Sequence, residues 1–204
     1  LYGVRGAADV DKTEPPRDAF PHAAIPHEPI IPALSDQLKA QGLNPFHMPS
    51  AVDYGSGGTC RRCGTCDAFA CRFDAKGDAD TRVLRPLLKH SHVHLERGTE
   101  VTRLIADDLG DRIVAAEACQ NGKKLRIEAP VFVLSAGAIN SALILLRSAS
   151  ATRPDGLANR SGVVGRYLMN HHLTGLMGVK PFVVNETKFP KTLSVNDFYH
   201  GVPG

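Results

Sequence analysis

Four of the five cysteines in this 204-residue chain lie close together in a glycine-rich loop. They are Cys60, Cys63, Cys66 and Cys71, so two, two and four residues separate them. Thiolates are soft ligands that converge readily on zinc or iron. A bacterial ferredoxin run has a shorter last gap followed by proline, whereas Arg72 stands here in place of the proline. The spacing therefore leaves open a metal or iron–sulfur site and a loop of reduced or disulfide-paired cysteines.

Histidines form two further groups that could bind a metal ion or serve a structural role. His90, His92 and His94 alternate across a predicted helix end and a short strand. No nearby carboxylate is placed to complete a metal site with them, so we interpret them as structural or surface residues. In the adjacent pair His171 and His172, we interpret His172 as a structural residue satisfied by hydrogen bonds.

A strand, a turn of small residues and a helix are predicted between residues 131 and 147. Residues 131–134 are a continuous apolar run, typical of a strand covered on both faces. Ser135, Ala136 and Gly137 follow, and residues 139–147 have strong helix character. In such a unit, backbone N–H groups and a helix N-terminus can face a phosphate or a dinucleotide. A close crossing of strand and helix also requires small residues, so this pattern alone does not distinguish a dinucleotide-binding turn from a packing contact.

Prolines are concentrated at the start of the chain, where eight of the 14 lie within the first 49 residues. Because proline fixes φ and removes a donor, this region is predicted to be mostly irregular, packed on another domain. One short helix fits within it, with Pro32 in its first turn and Gly42 closing it. Its apolar stripe is predicted to consist of Ile31, Leu34, Leu38 and Leu43.

The middle of the chain predicts one helix and a β-meander. Residues 80–90 predict a helix with Leu84, Leu87 and Leu88 facing inward. Strands are predicted at residues 93–96, 100–106, 112–119 and 124–127. Asn121-Gly122 between the last two is a strong hairpin signal, because both residues tolerate the positive φ of a type I′ turn.

Composition excludes several classes of protein. Hydrophobic residues make up 43% and charged residues 22%, which is typical of a soluble globular domain. With 24 Lys and Arg against 21 Asp and Glu, the net charge of +3 provides no concentrated basic face for nucleic acid. No apolar run approaches the roughly 20 residues that span a bilayer. Disordered, nucleic-acid-binding and transmembrane classes are therefore not expected.

The two ends of the sequence suggest a fragment of a longer protein. The chain begins at Leu1 without an initiator methionine and stops at Gly204 without a terminal helix. The lack of a signal peptide then says nothing about compartment, although a cytoplasmic location is favoured.

Several motifs occur along the chain in a definite order. They are Cys60-Arg-Arg-Cys-Gly-Thr-Cys, Asp74-Ala-Lys, Thr99-Glu-Val-Thr-Arg-Leu, Val131-Phe-Val-Leu-Ser-Ala-Gly-Ala and Leu157-Ala-Asn-Arg-Ser-Gly-Val-Val-Gly-Arg-Tyr-Leu-Met-Asn-His. This ordered set resembles the glucose–methanol–choline (GMC) oxidoreductases, which are FAD-dependent oxidases and dehydrogenases of alcohols and sugars. The resemblance is clear over residues 55–172 and looser in the flanks.

The resemblance implies an α/β fold in two parts. One is part of an FAD-binding Rossmann-like domain with an antiparallel β-meander, and the other is the start of an α+β substrate domain. Residues 1–50 would then be a proline-rich covering segment, residues 51–165 the FAD-binding part and residues 166–204 the beginning of the substrate domain.

The resemblance also assigns residues to the cofactor. Val101 would contact the adenine through backbone groups, and the chain would pass close to the FAD adenosine at three small residues, Ser135, Ala136 and Gly137.

Two further residues would lie near the flavin. Lys76 matches a loop near the flavin, where a cation would stabilise negative charge on the reduced cofactor, although the neighbouring Asp74, Asp78 and Asp80 are equally typical of a solvated charged loop. His171 would lie near the flavin, at the boundary with the substrate domain.

Parts of the family pattern are not present in this sequence. The Gly-x-Gly-x-x-Gly loop for the FAD pyrophosphate is missing, and Gly55-Ser-Gly-Gly is a loop that no strand precedes. The catalytic histidine of the family is expected beyond Gly204, so the fragment alone is expected to be inactive. Some flavin dehydrogenase relatives carry an iron–sulfur cluster, which makes such a cluster a possible second cofactor of the cysteine loop.

The function expected from the resemblance is oxidation of a CH–OH group, with hydride transfer from the carbon to flavin N5. The substrate would be a small alcohol, sugar or polyol, and oxygen, a quinone or a partner protein could accept the electrons. An aromatic cage for a quaternary ammonium is unsupported, since aromatic residues are only 6% and tryptophan is absent. The alternative is a metal–thiolate or iron–sulfur electron-transfer module without flavin, which would have no use for the strand–turn–helix unit.

Overall fold

The computed structural model describes residues 1–8, 11–66, 69–176, 178–179 and 181–201. The chain forms two compact units, one of Leu1–His94 with Val179–Gly204 and one of Leu95–Gly178. Among the described residues, no helix is long and apolar enough to cross a membrane. The division into residues 1–50, 51–165 and 166–204 stays a prediction.

The first unit contains two small two-stranded sheets. Strand β1 (Arg5–Gly6) pairs in parallel with β2 (His22–Ala23). Strand β3 (Phe46–His47) pairs antiparallel with β7 (Leu193–Ser194), so the proline-rich segment is joined to a segment far along the chain. Short ladders of this kind are expected where prolines remove backbone donors.

The predicted helix near Pro32 is present as α1 (Ile30–Ala40). Pro32 lies in its first turn and Gly42 closes it with a φ of +83°, as expected. The buried face consists of Ile31 and Ser35, one helical turn apart, whereas Leu34 is 45% exposed. The expected inward position of Leu34 was therefore wrong, because a serine takes the buried place on the next turn.

The helix predicted over residues 80–90 is shorter and less regular than expected. A π-helical turn (Asp80–Leu84) leads into α2 (Arg85–Leu87), which is followed by turns. Proline at position 86 has no N–H to donate and disturbs the ladder of the preceding turn. Leu87 and Leu88 are exposed, so their expected inward orientation was wrong. Residues 93–96 do not form the predicted strand.

The second unit contains the predicted meander. Strands β4 (Thr99–Ala106), β5 (Ile113–Gln120) and β6 (Lys123–Glu128) form an antiparallel sheet in that order. Asn121 and Gly122 join the last two strands with φ values of +50° and +76°. Both values are positive, as a type I′ turn requires, so the hairpin prediction is confirmed.

Helix α3 (Gly137–Arg147) packs on this sheet around a small apolar cluster. The buried members of the cluster are Leu104, Ala116, Ile144 and Leu157. Ser148, which is 2% exposed, connects the two layers. Its hydroxyl accepts a hydrogen bond from the Leu104 N–H at 2.8 Å and donates one to the Ile144 carbonyl at 2.6 Å.

Residues 131–134 lead into α3 without pairing to any strand among the described residues. Phe132 and Leu134 pack against the apolar cluster, while Val131 and Val133 are 74% and 84% exposed. Alternate side chains of an extended segment point to opposite faces, and only one face is covered here. The expectation of a strand buried on both faces was wrong for this structure.

The architecture of the described residues is thus a mixed α/β fold with two antiparallel sheets and one short parallel pair, in agreement with the coarse sequence-based prediction. The Rossmann-like arrangement and the start of a substrate domain stay predictions.

Candidate functional site

A cavity of about 440 Å³ lies at the N-terminus of α3 in the second unit. Its wall is formed by two stretches of chain, residues 136–140 and residues 168–170. Two of the residues predicted to approach the cofactor, Ala136 and Gly137, line it, and Ser135 immediately precedes them. Asn140 and Asn170 supply side-chain amides at the same cavity.

The start of α3 is built to leave backbone donors accessible. Gly137 has a φ of +80°, in the left-handed region that favours glycine. No side chain of the described residues caps the helix, and the N–H groups of a first helical turn have no carbonyl partner within the helix. These donors and the positive end of the helix dipole favour an anionic group. The Ala136 N–H is directed elsewhere, to the Ser141 hydroxyl at 3.1 Å.

The other two predicted residues of this unit lie near the cavity or in the sheet. Val101 is on β4 opposite Ala118 and packs against the apolar cluster, so its side chain is structural and only its backbone is left for a ligand. His171 is exposed and its N–H donates to the Asn170 side chain at 2.8 Å. Because Asn170 lines the cavity, His171 is next to the wall without forming part of it.

Lys76 belongs to the first unit, where it fastens the cysteine loop. Its ammonium donates to the carbonyl of Cys66 at 2.7 Å and to the carbonyl of Phe69 at 2.8 Å. The sequence suggested a cation for a reduced flavin, and the structure adds a role in holding a loop. The flavin role stays a prediction.

A second cavity, of about 340 Å³, lies in the first unit and is lined by the four clustered cysteines: Cys60, Cys63, Cys66 and Cys71. The four thiols, which are neighbours in the sequence, therefore line the same cavity, together with Lys76 and Phe73. All five cysteines, which are among the described residues, are free thiols. In the described part of the chain, no three His, Cys, Asp or Glu side chains are grouped so that they could hold a metal ion. An iron–sulfur cluster in this loop stays a prediction.

Cys71 is a half-buried thiol whose pKa is lowered by its backbone surroundings. Burial acts to raise its pKa, but the backbone N–H groups of Ala75, Phe73 and Lys76 favour the thiolate and lower the pKa below the usual 9.0. Hydrogen bonds to the charged form of a thiol stabilise the thiolate.

Glu28 anchors the cysteine loop and was missed by the sequence analysis. It is 5% exposed, forms an ion pair with Arg62 and accepts the N–H of Lys188. Burial acts to raise its pKa, but these hydrogen bonds and that of the Phe189 N–H lower the pKa below the usual 4.5. Glu28, between His27 and Pro29, belongs to no sequence motif from which this role could be predicted.

Two histidines that the sequence analysis did not single out are stacked in the first unit. The rings of His27 and His47 are 3.8 Å apart and nearly parallel, at 7°. Nδ1 of His27 lies 2.8 Å from the hydroxyl of the buried Thr192. Burial lowers the pKa of both histidines below the usual 6.5, and for His27 the neighbouring His47 and Lys39 lower it further.

Comparison with known families decides what this chain is related to. Residues 31–173, more than half of the chain, match the sequence model of the family described as GMC oxidoreductase. The chain belongs to the GMC oxidoreductase family. The match includes the cysteine loop, the meander and the start of α3, so the resemblance inferred from the ordered motifs is confirmed.

Named relatives of this GMC chain are oxidases and a dehydrogenase. It is 34% identical to 6'''-hydroxyparomomycin C oxidase of Streptomyces lividus, over 80% of this chain and 31% of that protein. It is 35% identical to paromamine 6'-oxidase of Streptomyces fradiae, over 74% of this chain and 30% of that protein. It is 39% identical to 2-methyl-1,2-propanediol dehydrogenase of Mycolicibacterium austroafricanum, over 40% of this chain and 15% of that protein. The chain therefore spans less than a third of the length of these curated relatives.

Proposed function

We propose that this chain is part of an FAD-dependent oxidoreductase that oxidises the CH–OH group of a sugar, a polyol or another small alcohol. The observation that carries the proposal is the cavity at the N-terminus of α3, found in a chain of the GMC family. The names of the relatives support it, since two are oxidases of 6'''-hydroxyparomomycin C and paromamine and one is a dehydrogenase of a diol.

The residues at this cavity fit the adenosine and phosphate portion of FAD. The uncapped first turn of α3 offers N–H donors and a positive dipole end to a phosphate. Ala136 and Gly137 have small side chains or none, which lets a ligand approach the backbone closely. The amides of Asn140 and Asn170 can both donate and accept hydrogen bonds, as ribose hydroxyls require.

The remaining predicted residues have supporting roles in this proposal. Val101 would offer backbone groups to the adenine, while Lys76 and His171 would contribute positive charge or a hydrogen-bond donor near the flavin. FAD, when bound, supplies the hydride acceptor at N5. The protein residues hold the cofactor, orient it and stabilise charge, and none of the described residues is assigned as the base for the hydroxyl proton.

The names of the relatives support a substrate class for this proposal. Two relatives are named for oxidising aminoglycosides and the third for dehydrogenating a diol, so hydroxyl-rich substrates are favoured over apolar alcohols. An amino sugar or a polyol is therefore the first substrate to try.

The test is the visible spectrum of the complete protein, purified without added cofactor. We expect the two absorption bands of oxidised flavin, and we expect anaerobic addition of an amino sugar or a diol to bleach them. The matched control is the same compound lacking the hydroxyl group, which should leave the bands unchanged. A colourless protein that does not take up FAD would refute the proposal, and a bound flavin that no hydroxyl compound reduces would refute the substrate class.

A further inference from the structure

The cysteine loop contains two overlapping Cys-x-x-Cys motifs. They are Cys60-Arg-Arg-Cys63 and Cys63-Gly-Thr-Cys66, and Cys63 belongs to both. Cysteines at this spacing can form a disulfide, and the motif recurs in proteins that cycle between dithiol and disulfide. Both pairs are reduced here and face the same cavity of about 340 Å³.

Cys63 has the surroundings of an attacking thiol. It is exposed, and its sulfur lies 3.1 Å from the Thr65 hydroxyl. The hydroxyl and then the N–H of Thr65 lower the pKa of this thiol below the usual 9.0, and the Arg72 guanidinium contributes in the same direction. An accessible thiol stabilised as the thiolate is the nucleophile in thiol oxidation.

Cys66 has the opposite surroundings. It is half-buried, and burial raises the pKa of its thiol, followed in size by the charge of Cys63. The Lys76 ammonium holds its carbonyl at 2.7 Å, so its backbone is fixed beside the cavity. An exposed thiolate followed three residues later by a sheltered thiol is the arrangement of an attacking and a resolving cysteine.

We propose that Cys63 and Cys66 form a reversible dithiol–disulfide site that is oxidised by hydrogen peroxide. The Cys63 thiolate attacks one peroxide oxygen, the O–O bond breaks, and hydroxide leaves to become water, which gives a sulfenic acid on Cys63. The Cys66 thiol then loses its proton, its sulfur attacks the Cys63 sulfur, and the second oxygen leaves as water. Two thiols are oxidised by two electrons and one peroxide is reduced to two waters, and an external dithiol reverses the change by exchange.

Cys71 is less suited to this pairing. It lies outside both Cys-x-x-Cys motifs, with four residues rather than two between it and Cys66. The inference goes beyond the proposed oxidoreductase activity and does not depend on it, because peroxide is added from outside in the test below.

The complete protein is reduced, freed of reductant, exposed to equimolar hydrogen peroxide, alkylated and digested with trypsin. Cleavage after Arg62 and Arg72 releases residues 63–72, a peptide that carries Cys63, Cys66 and Cys71. We expect this peptide to lose two hydrogens and to carry one alkyl group, on Cys71. Treatment with dithiothreitol before alkylation should restore three alkyl groups. This measurement needs no variant, so misfolding cannot obscure it.

Variants then separate the two roles. Cys63→Ser should abolish the bridge, and Cys66→Ser should leave a sulfenic acid on Cys63 that a dimedone probe captures. Thr65→Val should slow the reaction several-fold at neutral pH and move its rate profile to higher pH, because the thiolate loses a hydrogen bond. Cys119→Ser on β5 is the matched control and should react as the unmodified protein does.

Three results would overturn the inference. They are a bridge that links a different pair of cysteines, peroxide treatment that leaves residues 63–72 fully alkylated, and stoichiometric zinc or iron bound to thiols that peroxide does not oxidise. The loss or retention of flavin has no bearing on these readouts, so failure of the proposed function is recognised separately.

Discussion

Replacing Ser148 by alanine tests how α3 is held against the sheet. The hydroxyl accepts the Leu104 N–H at 2.8 Å, both residues are buried, and alanine offers no acceptor in its place. Leaving a buried backbone donor unpaired costs about 1–3 kcal/mol. Each kcal/mol lowers the midpoint of thermal unfolding by about 2–4 °C in a domain of roughly 150–250 residues. We therefore expect Ser148→Ala to lower the midpoint by several degrees.

The assay combines thermal unfolding of the complete protein with hydrogen exchange at the Leu104 amide. The effect should be local: exchange at Leu104 should become faster by about 5- to 140-fold, since about 1–3 kcal/mol is lost and each 1.4 kcal/mol corresponds to a factor of ten. Ser150→Ala is the control, because that serine is exposed and its contacts are with neighbours in the same turn. If Ser148→Ala unfolds and exchanges like Ser150→Ala, the reasoning about the buried donor is refuted.

Three further substitutions test the site and its surroundings. Glu28→Gln should destabilise the first unit by about 1.5–3 kcal/mol at neutral pH, because the buried carboxylate loses charged hydrogen bonds to the half-exposed Arg62 and to the Lys188 N–H. The pKa of Glu28 is lowered in the folded state, so this stabilisation is lost as pH falls through the folded-state pKa, and urea titrations should show a smaller difference between the unmodified protein and the variant at pH 3 than at pH 7. Gly137→Ala should reduce the flavin content of the purified protein, because an alanine at this φ of +80° strains the turn that faces the cavity. Gly122→Ala is the control: its φ of +76° makes it equally strained, but it should retain flavin. Equal flavin loss in both variants would contradict the assignment of Gly137 to the cofactor site. The stacked His27 and His47 have lowered pKa values in the folded state, so the unfolded state binds protons first and the stability of the first unit should fall as pH drops below about 6.5. His47→Phe should flatten this dependence in a pH series of unfolding midpoints. An unchanged slope would contradict the role given to the two histidines.

Local patterns predicted the elements of the second unit well. The meander and its turn at Asn121-Gly122 follow from alternation and from residues that accept positive φ, which are properties of a few neighbouring residues. The start of α3 near Gly137 was likewise foreseen from a turn of small residues. Predictions failed where one proline disturbed a helix or where burial depended on other segments. Leu87, Leu88 and the faces of residues 131–134 are of this kind.

In the cysteine loop, too, the sequence predicted that the thiols lie close together but not how their surroundings differ. Four thiols at close spacing had to lie near one another, and they do share one cavity. Their different characters could not be derived from spacing, because the pKa of Cys63 depends on the Thr65 hydroxyl and that of Cys66 on burial. The role of Lys76 as a clamp on two carbonyls was equally beyond sequence reasoning.

From sequence alone, the family, the meander, the cysteine cluster and the small-residue entry to α3 could all be recognised, since each is a contiguous pattern. Only the tertiary structure brought Glu28 to Arg62 and Lys188, which are 34 and 160 residues away along the chain. It also stacked His27 on His47 and placed it against Thr192, 165 residues away. Desolvation and pairing of a polar side chain are set by whichever distant segment covers it, and no local pattern encodes that.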